Sequence, residues 1–557
     1  MEAEAYRNIE DIEKLVDRGS DLVAIPIQPL YLALRSTSLE NIALILPKLS
    51  PTQRKALLDI DIWDKDNLDL DSFELWPEVY SKCANHDIIK EFAKSEEFML
   101  YLKTKFNIYA FDAEDPQYPN HDNFFITDDN QFLLEFDNNF AQVREVQYLI
   151  KMLYGDLGVD AASFQLMQLI NDSYFYFQEE LYQKKISRLR DFGFVDYYDA
   201  LIFRASFSNL KLIDKFIKSK TKITGSLNQT SKNQSLHSSS LVSFKKGLDD
   251  IHAELAQLSD EKRIDFLQFN FVRLVNGTVA LDGALKNGSV TMTKTGQKTK
   301  QKILLGTSYI KSMNSKINVF EYFDFNDVYK IGHSLLNIQK IYIKRALEKT
   351  PFDKDEYEFF LGAHWSQFLQ NSFEEVVRTF SSDSEKYEDL IKADDYFAWS
   401  KRSKLFVELL PHVNSFFENL QNLIKSGQVN DQFYLNYTVE NIDFEAILMS
   451  SFINFKLGNF EKHNVNKMGL TTNELKEFVH SFFKKEKLGY EMPDKEDKKV
   501  QKEILSFCKK FGLEKIENIE NYLYQIMSEN LSGYPFDELS EEDFKHVGGP
   551  ILLIGKH

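Results

Sequence analysis

The chain has 557 residues, a formal charge of −18, 43% apolar and 27% charged residues, and only 22 glycines and 12 prolines against 47 phenylalanines and 26 tyrosines. Its length predicts about three to four domains, and its balance excludes a disordered chain and favours helices with aromatic-rich packing over a turn-dense all-β fold. The acidic charge disfavours nonspecific nucleic-acid binding, and two distant cysteines, Cys83 and Cys508, exclude a disulfide framework or thiolate zinc site and fit a reducing compartment.

The opening "MEAEAYRNIEDIEKL" is acidic and amphipathic, with no basic n-region or apolar h-region. No apolar run reaches the roughly 18 residues of a transmembrane helix, so the expectation is a cytoplasmic protein. Residues 26–62 carry three apolar bursts with helix-entry signals. Thr37 with Glu40 can form a capping box, and Ser50-Pro51-Thr52-Gln53 joins an N-cap serine, a first-turn proline and a glutamine at N3. Helices that short need stacking on neighbours, which predicts a short-helix superhelix. In "DIDIWDKDNLDLDSFELW" (59–76) an EF-hand register fails at Leu68, Asp69 and Leu75. Its aspartates are expected to end one helix and cap the next, with Ile60, Ile62, Trp63, Phe73 and Trp76 inside.

Near 107–137 the period changes to two. "FFITDDNQFLLEF" places Phe132, Leu134 and Phe136 on one face, and Asp128-Asp129-Asn130 supplies a turn. A small antiparallel β-hairpin or three-stranded meander is expected in an otherwise mostly α, multi-domain chain. Helical patterning resumes over 141–218. Lys184, Lys185, Arg188 and Arg190 follow acidic residues in an order that complements the helix dipole, Gly193 caps the helix, and Asp196 starts another.

Residues 221–243 hold ten Ser/Thr and no acid, and 286–302 hold five lysines and no acid; both read as exposed segments without stacking aromatics. Helices are expected at 331–347 and near 355–380, 384–425, 440–457 and 471–487, then a mixed-charge connection at 492–503 and a glycine turn with a short apolar strand in "GGPILLIGKH". The resulting division is 1–106 (short-helix repeat), 107–218 (hairpin plus helices), 219–246 (Ser/Thr-rich linker), 247–487 (central helical domain with Lys-rich loop 286–302) and 488–557 (C-terminal helices and tail).

The stretch "RLRDFGFVDYYDALIF" (188–203) resembles the core motif of a bacterial family of unknown function, family 6178. "LSPTQRKALLDIDIWDKDNLD" (49–69) and "NFKLGNF" (454–460) are similar to further segments of that family. The resemblance covers most of the chain, departs at the two Ser/Thr/Lys-rich segments, and implies no known activity. "LENIALILPKLSPTQRKALL" (39–58) also resembles the short-helix repeats of the magnesium-transporter N-terminal domain and the flagellar motor switch protein G, modules that work by contact with neighbours.

Catalytic motifs are scarce. No G-x-G-x-x-G occurs, "IGHSLL" lacks the second glycine of a nucleophile elbow, and Glu477-x-x-His480 stands without a partner motif. The one concentration of hard ligands is Asp112, Glu114, Asp115, His121 and Asp122, which could hold Mg²⁺ or another divalent cation, supply an acid/base pair, or order a polar loop between Pro116 and Pro119. The reading is a scaffold or regulator that binds a protein partner, with no catalytic residue or cofactor assigned. The alternative is a metal-dependent enzyme or metal-responsive protein using loop 112–122.

Overall fold

The computed structural model describes residues 22–23, 25–223, 249–350, 360–381, 386–459, 469–540, 542–546 and 549–554. The expectations for residues 1–21, for the Ser/Thr-rich linker beyond Ile223 and for helical residues 355–359 lie outside them. Among the described residues 22 α-helices alternate with nine short strands, a mostly α fold. The chain divides into two units, Met1–Phe207 with Lys211–His333, and Ser208–Leu210 with Ser334–His557.

The first unit begins with α1 (Ile27–Arg35), α2 (Leu39–Ile45) and α3 (Pro51–Asp61), the three expected short helices. Ser50 and Gln53 form the reciprocal capping box at α3. At α2 the cap is Ser38, whose hydroxyl accepts from the Asn41 N–H, rather than Thr37. A tight hairpin, β1 (Trp63–Asp64) and β2 (Asn67–Leu68), leads to α4 (Leu70–Ser81), which Asp69 caps. Then follow α5 (His86–Ala93) and α6 (Glu96–Lys105). The expected aromatic and aliphatic residues of 59–76 are inside: Ile60, Ile62, Trp63, Phe73 and Trp76 are all buried.

Strands β3 (Phe106–Ala110), β4 (Phe124–Ile126) and β5 (Phe132–Phe136) form an antiparallel sheet in the order β3-β5-β4. A meander would put β4 in the middle. Here β5 is central, because the β4–β5 hairpin turns at Asn130 (φ 55°) and β3 pairs along the other edge of β5. Phe132 and Leu134 are buried, and so is Leu133 on the opposite face. Next come α7 (Val143–Leu157), α8 (Val159–Asn171), α9 (Tyr174–Asp191) and the single turn α10 (Tyr197–Ala200). The helices from α1 to α9 and the sheet share one hydrophobic core that includes Leu30, Leu57, Phe98, Leu134, Leu149 and Leu166.

The unit continues through α11 (Leu210–Ser219), α12 (Asp249–Ala256), α13 (Glu261–Leu281), α14 (Ser289–Met313), α15 (Val319–Tyr322) and α16 (Phe325–Leu347), which runs on into the second unit. Residues 289–302, expected as a solvated lysine-rich loop, are the first half of α14. Threonines and glutamines between the lysines give that half a buried face, with Thr295, Thr299 and Gln301 inside, while Lys298 pairs with Asp282 at 2.7 Å. Helices α14 and α16 meet backbone to backbone. A Cβ on Gly306 would lie 2.0 Å from the Val328 carbonyl oxygen, and one on Gly332 would lie 1.9 Å from that of Lys302. Only glycine permits this approach.

The second unit contains α17 (Gly362–Phe373), the hairpin β6 (Arg378–Ser381) and β7 (Lys386–Asp389), α18 (Ala393–Lys425), α19 (Phe444–Lys456), α20 (Thr472–Phe482), the hairpin β8 (Lys484–Lys485) and β9 (Tyr490–Glu491), α21 (Lys498–Phe511) and α22 (Ile519–Leu531). The β6–β7 hairpin replaces the helical ends expected near 380 and 384. Its Phe380–Tyr387 cross-strand pair supplies the local pairing that helical periodicity hid. Trp365, Trp399, Phe406, Phe444, Phe478 and Phe507 fill the core. The closing apolar segment is buried at Ile551–Leu553, bonded to Ser450, Asn436 and Leu470.

Candidate functional site

The polar residues of the first unit converge where three helix ends meet. Helix α3 ends in "LLDID", which carries Asp59 and Asp61 inward on successive faces, both buried. Helix α9 places Tyr182, Lys185, Arg188 and Leu189 at spacings of three and four, on one side of the helix. It stops at Gly193, φ 81°, where the Gly193 and Phe194 amides bond back to the Arg190 and Leu189 carbonyls, the cap expected from the sequence. Asp196 then caps α10, also as expected. Helix α13 supplies the third wall. Its Asn276 donates to the Gly193 carbonyl at 2.6 Å and accepts from Gln28 at 2.9 Å, fixing the α9 turn against α13.

Between these elements lies a cavity of about 720 Å³. Its edge is held by ion pairs. The Arg188 guanidinium is bidentate on Asp59 (2.7 and 2.6 Å) and reaches the buried Glu97 at 2.9 Å. Burial pushes the Asp59 carboxyl up to about 6 even though Arg188 pulls it down. The Asp61 carboxylate accepts from Tyr31 (2.7 Å), Trp76 (3.0 Å) and Arg35 (3.1 Å). Lys286 spans the Asp61 carbonyl (2.8 Å) and Asp69 (2.9 Å).

Lys185 differs from these groups. It lines the cavity yet is only 8% exposed, and among the described residues no carboxylate lies within 4 Å of its ammonium. Nζ donates to the Lys65 carbonyl at 2.9 Å, in a turn that Lys65 closes with φ 58°. It also sits 4.6 Å from the Tyr182 ring and 5.6 Å from that of Trp63, which pack together at 5.5 Å. Desolvation brings its pKa down to about 8, with Asp196 and Asp59 pulling the other way from a distance. Tyr182 in turn donates to Asp196 at 2.9 Å. A lysine held this way remains largely charged at neutral pH, and an anion in the cavity could bond it directly where the surrounding aspartates act only from a distance.

The residues singled out from the sequence lie elsewhere. Asp112, Glu114, Asp115, His121 and Asp122 are all exposed on the loop between β3 and β4. The Asp112 carboxylate accepts from the Glu114 N–H at 2.9 Å, an Asx turn, and the His121 ring bonds Glu135 at 2.8 Å. Among the described residues no group of three or more His, Cys, Asp or Glu is placed to hold a metal ion. His480 pairs with Asp537 at 2.6 Å on the surface, and Lys485 and Tyr490 also hold that carboxylate. Sequence reasoning missed Asp59, Lys185 and Arg188 because caps and the helix dipole accounted for them. The usable signal was two basic residues among the apolar positions of α9, where a solvated charge does not belong.

Fold and cavity together define a mostly α protein with a ligand-sized cavity built from helix ends. The model of a family of unknown function, DUF6178, matches residues 4–389, more than half of the chain, and the chain belongs to that family. The matched span contains the whole cavity. No curated protein and no solved structure matches, and the resemblance of 39–58 to short-helix repeats is not shown by these comparisons. Among the described residues no helix is long and apolar enough to cross a membrane.

Proposed function

We propose that the chain is a cytoplasmic regulator whose first unit binds a small anionic compound, a carboxylate or phosphate ester, in the cavity at the α3, α9 and α13 ends. The observation that carries this reading is Lys185, a buried ammonium that lines the cavity with no carboxylate of the described residues in contact. An incoming anion would bond the ammonium directly, while Trp63 offers an apolar wall. The test is thermal denaturation of the full chain against a panel of small carboxylic acids and phosphate esters, with Lys185→Met alongside. At least one compound should raise the wild-type midpoint saturably and leave the variant unmoved. Equal shifts in both proteins, or none in either, would refute the reading.

The regulatory output proposed is contact with a protein partner. Phe164 on α8 and Phe175 and Tyr176 at the start of α9 are 70%, 80% and 83% exposed, far above what a monomer's surface requires of aromatic side chains. Helix α9 carries Phe175 and Tyr176 in its first turn and Lys185 in its second half, so one helix would connect ligand and partner. Affinity purification from the native cell should recover a reproducible partner that a Phe175→Ser/Tyr176→Ser variant loses. Recovery of no reproducible partner counts against it.

A further inference from the structure

A second, smaller cavity of about 330 Å³ lies behind the C-terminal end of α13, between it, α14 and α16. It shares Leu281 and Asp282 with the wall of the larger one. Arg204, Lys298, Lys302, Tyr329 and His333 line it, and among the described residues Asp282 is the only carboxylate that does. Three permanent cations around one acid is a sharp local reversal in a chain of net charge −18. A concave wall of one sign concentrates anions.

We propose that this cavity is an oxyanion site that takes a phosphate group. The volume suits a phosphate with a short organic substituent. Its cations are divided in role. Lys298 is committed to Asp282 at 2.7 Å, and that carboxylate, although burial raises it, is held below the usual range by Lys298 and by the Thr295 hydroxyl. Lys302 donates to the Tyr329 hydroxyl at 3.1 Å. Burial keeps that phenol neutral, so its own proton can be donated to a bound oxygen. Arg204 donates to the Leu281 carbonyl at 3.3 Å with one of its five N–H groups, and the fork of the remaining donors matches a phosphate.

The site is also rigid. Lys302 and Tyr329 flank the Gly306–Gly332 crossing, where α14 and α16 touch through their backbones. Phe203, adjacent to Arg204, lies on Gly277 of α13, where an added Cβ would be 2.2 Å from its ring. Charges fixed by such contacts need no reorganisation when an anion enters.

The experiment is titration calorimetry of the full chain with inorganic phosphate and with glycerol 3-phosphate, at constant ionic strength set with potassium chloride. Saturable one-site binding is expected for at least one probe. Tighter glycerol 3-phosphate binding identifies a phosphomonoester as the ligand, and equal or weaker binding identifies free phosphate. Arg204→Met and Lys302→Met should each weaken binding about tenfold, roughly the worth of one charge-assisted hydrogen bond. A saturable component should persist in Lys185→Met, which removes uptake by the larger cavity, and Arg204→Met should weaken that component in the Lys185→Met background too. Absence of saturable heat with both probes would overturn the proposal, as would unchanged affinity in the Arg204→Met variant. Because Arg204 is exposed, that variant decides the matter even if Lys302→Met fails to fold.

Discussion

Arg188 lies flat against Asp59, its Nε and Nη2 at 2.7 and 2.6 Å from the two carboxylate oxygens, and the Asp59 side chain is completely excluded from solvent. The contact joins the last turn of α3 to the last turn of α9 and forms an edge of the cavity. Removing one partner strands a buried charge. Arg188→Met is expected to destabilise the first unit by about 3–5 kcal/mol, and Arg188→Met/Asp59→Asn by clearly less, because the second change removes the stranded charge. Urea titration of the single and double variants checks this; equal losses would contradict it.

Lys185 gives a pH dependence of defined sign. Its folded pKa of about 8 lies below the 10.5 of the free side chain. The unfolded chain therefore binds the proton more tightly, and stability is expected to rise from about pH 8 towards 10.5 and to be lower below 8. Lys185→Met should remove that slope and raise stability at pH 7 by about 1–3 kcal/mol while abolishing anion binding in the larger cavity. The difference in midpoint between wild type and variant, measured from pH 6 to 10.5, is the readout.

Glu445 in the second unit has the opposite sign. Burial raises it to about 7, while Tyr522 donates to it at 2.8 Å and itself receives the Trp365 indole N–H at 2.6 Å. Since the folded chain holds this proton more tightly, the contribution is complete below about pH 4.5 and is lost as pH rises through 7. Glu445→Gln should flatten that decline, followed by the midpoint of thermal unfolding across pH 4.5–8. A variant that retains the wild-type slope would contradict the assignment.

The glycines predict opposite outcomes at two sites. Gly332→Ala drives a methyl group into the Lys302 carbonyl and should cost about 2–4 kcal/mol. Gly155, inside α7 with open space around it, should accept alanine with a gain of about 0.5–1 kcal/mol. Chemical denaturation of the two variants distinguishes them directly.

The acidic loop has a separate test. Its five candidate ligands are exposed, and Asp112 and His121 are bonded to the Glu114 N–H and to Glu135, so Mg²⁺, Mn²⁺, Ca²⁺ and Zn²⁺ are expected to give no thermal shift that an Asp115→Ala/Asp122→Ala variant loses. A specific shift lost in the variant would establish a divalent-metal site there.

Local chemistry settled much of this protein. Composition and periodicity determined a mostly α chain; Ser50 with Gln53, Gly193 and Asp196 marked helix ends; and the alternation at 132–136 marked a strand. These features depend on neighbours within a few residues, so the chain order alone displays them. Other features did not follow from it. The β3-β5-β4 order depends on which edge of β5 is free, and the helicity of 289–302 depends on a buried face that only α13 and α16 provide. The carboxylates of loop 112–122 are dense in sequence, yet among the described residues no three of them are placed to hold a metal ion. Asp59, Lys185 and Arg204 looked ordinary because their partners lie far along the chain. Burial is a property of the whole fold, and it is what brings the Lys185 pKa down beside the cavity. The tertiary structure alone decided where function is to be sought.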